Sequence, residues 1–467
     1  MEETVKKENK PVARGDMTHG NVTKVLLAFT IPTLLTNMLN SLYNMADSVI
    51  VGRFAGPEAL AAVGANTFIT MLMVALFVGA GIGGGVYIAQ LMGARKYDMI
   101  SNAFGNTYCL IALMSALTGI IANVFAVPLL TALHTPENIF ADTLLYFRIY
   151  CAALPGLAVY SAGSAALRSV GDVRAPLYFL IFSAIMNVVL NIIFVAGFGM
   201  GVAGVAWATF IAEYASAILV VARTSTCKMV KIDINSQTLR LRMDLVKITL
   251  MLGIPSALQQ GVNSLGNVIC QRYLNEFGSS AVAAVTSAMK LDNFILMPAM
   301  SISMAMSVFF GQNLAAGKTE RVHKGAKLGM GMCIGISLVL SVVIYFGARA
   351  GIGLFTTDQE VIEIGAGMLR IMALFYWAMG GFNAFSGMFR GAGDTMSVMV
   401  ISIIGVLVRI PTTYFICARP HIFNNYFCSL IIANVLMFTL AIIHYFRGNW
   451  KNKVVVRIDD KDKDEDI

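Results

Sequence analysis

Between Leu26 and Gly64 the chain is apolar, and its polar residues fall in a line. At about 100° per residue, Thr36, Asn37, Asn40, Ser41, Asn44, Asp47 and Ser48 occupy an arc of roughly 140° on an α-helix, while Leu, Val, Ile, Met and Phe fill the other side. Side chains that hydrogen-bond are costly in hydrocarbon, so the pattern predicts a membrane helix whose polar stripe is turned from lipid. Asp47 is the one carboxylate on the stripe.

The stripe returns 223 residues later: Ile31-Pro32 falls on Ile254-Pro255, Asn40-Ser41-Leu42 on Asn263-Ser264-Leu265, and Asn44 on Asn267. Asp47 falls on Cys270, so the acid exists in one copy. After a slip of one residue the echo continues at 222, pairing Gln90 with Gln312 and Arg168-Ser-Val-Gly171-Asp172 with Arg390-Gly-Ala-Gly393-Asp394. A repeat at this spacing over most of the chain is an internal duplication.

About 20 apolar residues cross a bilayer core. Breaks at charged and Gly/Pro-rich points predict twelve spans, at 24–49, 57–86, 102–133, 139–166, 174–198, 202–223, 245–274, 280–310, 322–347, 362–388, 396–418 and 425–446. Cation-rich loops alternate with cation-poor ones, which predicts that both termini lie on the cytoplasmic side. Six spans per half make the repeats parallel, with a substrate pocket between them. The expected organisation is a cytoplasmic segment (1–22), an N-lobe (23–223), a cytoplasmic linker (224–244), a C-lobe (245–447) and a cytoplasmic charged tail (448–467) that is disordered over Asp459–Asp466. The fold class is thus an all-α polytopic membrane protein, with two pseudo-symmetric six-helix lobes around a central cleft.

Composition agrees: 57% of residues are hydrophobic and 13% charged, where a soluble globule carries about 25% charged. The net charge of +8 is spread over short loops and predicts no nucleic-acid partner. The seven cysteines lack zinc or redox spacing and read as small buried residues. No cleavable signal precedes the first span.

Asp47, in the outer half of the bilayer, is a candidate for reversible binding of a cation or proton; its plain alternative is a helix-end acid among headgroups. Asn187 and Asn191 share a face of the fifth span, and the short turn from Gly197 to Gly204 would bring Thr209 to them. Such oxygens suit a hard cation, and buried amides equally suit interhelical hydrogen bonds. In the second half, Lys290, Asp292 and Arg409 are the candidate charges: buried together they would form a network that tolerates protonation changes or receives a charged substrate group, a structural ion pair is the equal alternative, and whether they meet in space is left open by the sequence. Arg409 stands where the first half has Asn187. Glu213 lies mid-span and has an interhelical or cytoplasm-facing role as its plainer reading. The stripe residues Asn40, Asn44, Asn263 and Asn267 complete the expected cleft lining. Gly79, Gly81, Gly83, Gly84 and Gly85 are expected to permit close helix packing rather than motion. No Walker loop, metal-ligating cluster or enzyme motif is present, so the energy source is an ion gradient or potential.

Taken together, Ile31-Pro32, the run Asn44-Met-Ala-Asp47-Ser-Val-Ile-Val-Gly52, Gly311-Gln-Asn313 with its Gln90 echo, the two Arg-x-x-Gly-Asp loops and Gly199-Met-Gly-Val-Ala-Gly204-Val-Ala-Trp207-Ala-Thr209 resemble the multidrug and toxic compound extrusion family. The resemblance implies an inner-membrane antiporter that exports small organic, often cationic, compounds for sodium ions or protons, with no cofactor. It implies two lobes in a V, Asp47 as the coupling acid, and Asn187 and Thr209 as its partners in holding Na+. Asn191 stands where many relatives carry an aspartate, which leaves one formal negative charge in the lobe. A monomer in contact with lipid is expected. The competing readings are a lipid-linked precursor flippase of the same superfamily, a channel, and a membrane-embedded enzyme, which would need a second catalytic acid or a His/Cys cluster facing Asp47.

Overall fold

The structure, a computed structural model, describes residues 15–133, 135–227, 229–235, 237–420 and 425–458, and of Phe68 the backbone alone. Most of the N-terminal polar segment, His134, His421 and the tail from 459 onward lie outside the described residues.

The N-lobe comprises α1 (Val22–Ile50), α2 (Pro57–Gly93), α3 (Tyr97–Val124), the short α4 (Ala126–Ala132), α5 (Glu137–Ser169), α6 (Arg174–Asn191) and α7 (Gly201–Ser225). The C-lobe comprises α8 (Met243–Asn275), α9 (Ser279–Ala315), α10 (Thr319–Gly353), α11 (Gln359–Ala373), α12 (Tyr376–Gly391), α13 (Thr395–Thr413) and α14 (Asn425–Arg447). At 222 residues α2 begins and ends where α9 does, and wide π-type turns at Ile192–Gly197 and Tyr414–Ala418 follow α6 and α13. Gly56 and Gly278 open α2 and α9 at the same φ of +90°, a conformation that a Cβ would strain. The duplication extends to single backbone angles.

Ten helices among the described residues are long and apolar enough to cross a membrane, and the bent pair α11–α12 counts as an eleventh span. The twelfth is α8, whose 33 residues include Gln259, Gln260, Asn263, Asn267 and Gln271. It is too polar to qualify by composition, and it lies between α2 and α13. Two expected spans are interrupted. The span 102–133 ends as α3 at Val124, because Pro128 has no N–H to give the Val124 carbonyl. The span 362–388 breaks by 56° between α11 and α12, where the Trp377 indole takes the Leu374 carbonyl at 3.0 Å. Its counterpart α5 runs unbroken through Pro155.

The lobes meet along α2 and α8 with almost no side chain between them. A Cβ on Gly83 would lie 2.4 Å from the Thr249 carbonyl oxygen and 2.6 Å from the Gly253 nitrogen; one on Gly79 would lie 2.5 Å from the Ala257 nitrogen. Glycine here serves close approach, as the sequence predicts. The linker between α7 and α8 lies on α3, where the Asn106 side chain donates to the Arg242 carbonyl at 3.3 Å and the Asp233 N–H to Ser101 Oγ at 3.1 Å.

Candidate functional site

Asp47 sits in the last turn of α1, and the structure brings it to the residues that the sequence names. Asn191 Nδ2 donates to Asp47 Oδ1 at 2.7 Å and to Asn187 Oδ1 at 2.9 Å, and Asn187 Nδ2 reaches Thr209 Oγ1 at 3.5 Å. Both asparagines are fully buried. They share a face because they are four residues apart on α6; Thr209 joins them because the turn with Gly199 and Gly201, both at positive φ, folds α7 back on α6. Asn191 Oδ1 is buried without a partner. The cluster therefore holds one carboxylate, two amide oxygens and a hydroxyl, which is a donor set for a hard monovalent cation or for a proton.

Three tyrosines that sequence reasoning missed lie within electrostatic reach of Asp47 or Glu213. Tyr43 is within electrostatic reach of both acids and of Tyr146 and Tyr150, and the last two stack at 5.9 Å. The available signal was spacing: Tyr43 is one turn before Asp47, and Glu213 is one turn after Thr209. On the stripes, Asn40, Asn44 and Asn267 are exposed and Asn263 is half-buried, while Asn37 Nδ2 crosses between the lobes to Ser301 Oγ at 3.0 Å.

Lys290, Asp292 and Arg409, whose meeting the sequence leaves open, have separate partners. Among the described residues no ion pair joins any two of them. Lys290 is exposed, with its ammonium 5.6 Å from the Phe355 ring centroid, and Arg409 Nη1 donates to Asn267 Oδ1 at 2.6 Å. Asp292 is half-buried in the neighbourhood of Tyr376. Two residues apart on α9, Lys290 and Asp292 point about 200° apart, and Arg409 is turned toward α8. At the place of Asp47 the C-lobe has Cys270, 3.6 Å from Thr413 Oγ1.

At the basic end of the helices the lobes are closed by a second symmetric arrangement. Gln90 Nε2 donates to the Gly391 carbonyl at 3.1 Å, and Gln312 Nε2 to the Ser169 carbonyl at 2.9 Å. These are equivalent residues at the 222 offset, each crossing to the other lobe. Each Oε1 also holds a terminal segment: Gln90 accepts from the N–H of Val455 at 2.9 Å, and Gln312 from that of Met17 at 2.7 Å. A primary amide offers both donors and an acceptor, so one buried side chain ties three segments. Arg321 adds bonds to the carbonyls of Met17, His19 and Gly20. The loops that supply these carbonyls are anchored by their acids. Asp172 Oδ2 receives Arg223 Nε at 2.8 Å and Nη2 at 2.6 Å, and Asp394 Oδ2 lies 2.6 Å from His444 Nε2. Gln90→Ala and Gln312→Ala each remove a buried hydrogen-bonded amide, at about 1 kcal/mol per bond, and so loosen this end about fivefold per bond. Amide hydrogen exchange at Val455, Val456 and Met17 is expected to rise by that factor; unchanged exchange would mean that the two glutamines hold nothing shut.

The MatE family model matches the chain twice, over residues 32–193 and 255–415, in the register of the duplication. The chain is 27% identical over 459 residues to "Probable multidrug resistance protein YoeA" of Bacillus subtilis (strain 168), covering 96% of this chain and 98% of that one. It is 26% identical over 404 residues to "FAD transporter" of Shewanella oneidensis (strain MR-1), covering 83% and 86%. A crystal structure described as MATE in the bent conformation superposes with a TM-score of 0.87 at 21% identity, over 94% of this chain and 97% of that one. With the family's repeat present in both lobes and this twelve-span fold around it, the chain belongs to the MatE family of multidrug and toxic compound extrusion transporters.

Proposed function

We propose that the chain is a secondary active exporter of small organic compounds, exchanging them for protons or sodium ions by alternating access. The observation that carries this reading is the Asp47–Asn191–Asn187–Thr209 cluster, which has one negative charge and an amide oxygen without a partner. Ionised Asp47 accepts the Asn191 N–H and ties α1 to α6. When a proton or Na+ neutralises the carboxylate, the Asn191 amide turns about its χ2 and offers oxygen, and the tie is exchanged for a bond to the ion or to the protonated acid. In this reading Asp47, Asn187 and Thr209 hold Na+. Each cation that moves down a 100 mV potential supplies about 2.3 kcal/mol. α1 is suited to respond, because Pro32 interrupts its hydrogen bonding and Thr33 and Thr36 bond back to carbonyls one turn earlier, at 2.9 Å and 2.8 Å. In the same reading the glutamine-latched end faces the cytoplasm of a multi-pass plasma-membrane protein.

The test is dye flux in proteoliposomes of the purified protein, with one ion gradient imposed at a time. Efflux of a cationic dye driven by a proton or a sodium gradient is the expected result and names the ion. If neither gradient moves the dye but fluorescent lipid-linked precursors cross, the flippase reading replaces this one. Relatives named for multidrug resistance and for FAD differ in cargo, so the cargo of this chain is read from its own cleft.

A further inference from the structure

Arg409 is 7% exposed, yet only one of its three nitrogens has a partner. Nη1 donates to Asn267 Oδ1; Nε and Nη2 are buried with none. The unpartnered N–H groups on Nε and Nη2 lie side by side on one edge of the planar guanidinium, the edge that accepts a carboxylate or phosphate with two parallel hydrogen bonds. Arg223 uses that same edge on Asp172 in this protein, at 2.8 Å and 2.6 Å.

Among the described residues no acid answers Arg409. The groups that face it are the Asn267 amide on α8, the Tyr426 phenol on α14 and, one turn on, Thr413, whose hydroxyl is taken up by the Arg409 carbonyl and Ser429 Oγ. A guanidinium stays charged, and a charge inside a membrane domain is held by a counter-charge or lines the path of one. Its partner Asn267 is exposed on the polar stripe of α8, so the guanidinium lies one side chain behind an exposed polar surface. The pseudo-symmetry sharpens the point. Arg409 takes the place of neutral Asn187, and neutral Cys270 takes the place of Asp47, so the corresponding clusters of the two lobes carry single charges of opposite sign at different positions.

We propose that the Nε/Nη2 edge of Arg409 is an oxyanion subsite of the cleft, which takes the carboxylate or phosphate group of an anionic or zwitterionic cargo once α8 shifts and Asn267 uncovers it. The proposal rests on the exporter reading for its cargo but not for its binding chemistry. It extends the cargo beyond simple cations, because a compound carrying both charges would find Asp47 in one lobe and Arg409 in the other.

The experiment compares a rhodamine with a free carboxylate and its methyl ester, two probes that differ only in the oxyanion. Binding to the full-length protein in detergent is read by fluorescence anisotropy, and gradient-driven efflux is read in proteoliposomes. Arg409→Gln is expected to weaken binding of the free-acid dye about tenfold, the loss of a charge-assisted pair, and to leave the ester within about twofold. Asn267→Asp supplies an acid to the guanidinium and keeps the α8–α13 tie, so it is expected to give the same selective loss in a folded protein. Acetate competing with the free-acid dye assigns a carboxylate preference, and methyl phosphate competing assigns a phosphate preference. Competition by neither overturns the proposal, as does equal weakening of both dyes in the two variants, which would make Arg409 only a helix tie. If wild-type protein binds the free-acid dye selectively in detergent but moves neither dye under any gradient, the exporter reading fails and the subsite stands.

Discussion

On the proposed reading, Asp47→Asn is expected to yield a folded transporter whose export no longer follows an ion gradient. The substitution keeps the size of the side chain and an oxygen that accepts the Asn191 N–H, now made at 2.7 Å, so the contact between α1 and α6 survives. What it removes is the single charge of the cluster, since Asn187, Asn191 and Thr209 are neutral. Gradient-driven dye efflux is expected to fall about 100-fold, toward the upper end of the 1–3 kcal/mol by which two binding events are commonly coupled. The unfolding temperature in detergent should stay near wild type. Retained efflux would move the coupling to another acid, with Glu213 first in line because Tyr43 lies within reach of both.

Gly83→Val is expected to have the other large effect, on assembly. A Cβ there meets the Thr249 carbonyl oxygen at 2.4 Å and the Gly253 nitrogen at 2.6 Å, and these are backbone atoms of a packed helix that cannot rotate aside. Overpacking of this kind costs about 1–3 kcal/mol and occasionally more, and relief requires α2 and α8 to separate along the interlobe seam. The unfolding temperature should drop by several degrees, with transport lost. Gly331→Ala is the control: no atom lies within 4 Å of its Cβ position, so it should be neutral or slightly stabilising in α10. A Gly83→Val protein with wild-type unfolding temperature and transport would mean that the seam is loose.

The two substitutions probe what each level of description supplied. The duplication, the twelve spans and the polar stripes are periodic features, and a period is a local property that a string of residues carries by itself. Asn187 and Asn191 come together for the same reason, because residues four apart share a helix face, and the short turn after α6 limits how far Thr209 can stray. The two span errors mark the edge of that reasoning. Pro128 was visible in the sequence as a breaker, whereas the bend at Phe375 depends on where the Trp377 ring finds its acceptor.

Between helices the sequence was silent. Lys290, Asp292 and Arg409 were candidates for one network because each is a charge in an apolar run, but their partners are Phe355, the surroundings of Tyr376, and Asn267. Gln90 and Gln312 stood out only as an echo, and their bonds reach residues 301 and 143 positions away. Hydrophobic periodicity fixes which side of a helix is polar and leaves open which helix will face it. That choice is made when all twelve spans are packed at once, where backbone contact at Gly79, Gly83 and Gly253 sets the spacing of the lobes and most buried donors find an acceptor within about 3 Å. The sequence by itself determined the repeat, the membrane class and the lone acid of the α1 stripe; only the tertiary structure decided that this acid is hydrogen-bonded to Asn191, that Arg409 makes no ion pair among the described residues, and that Met17 and Val455 are held by the two glutamines at the same end.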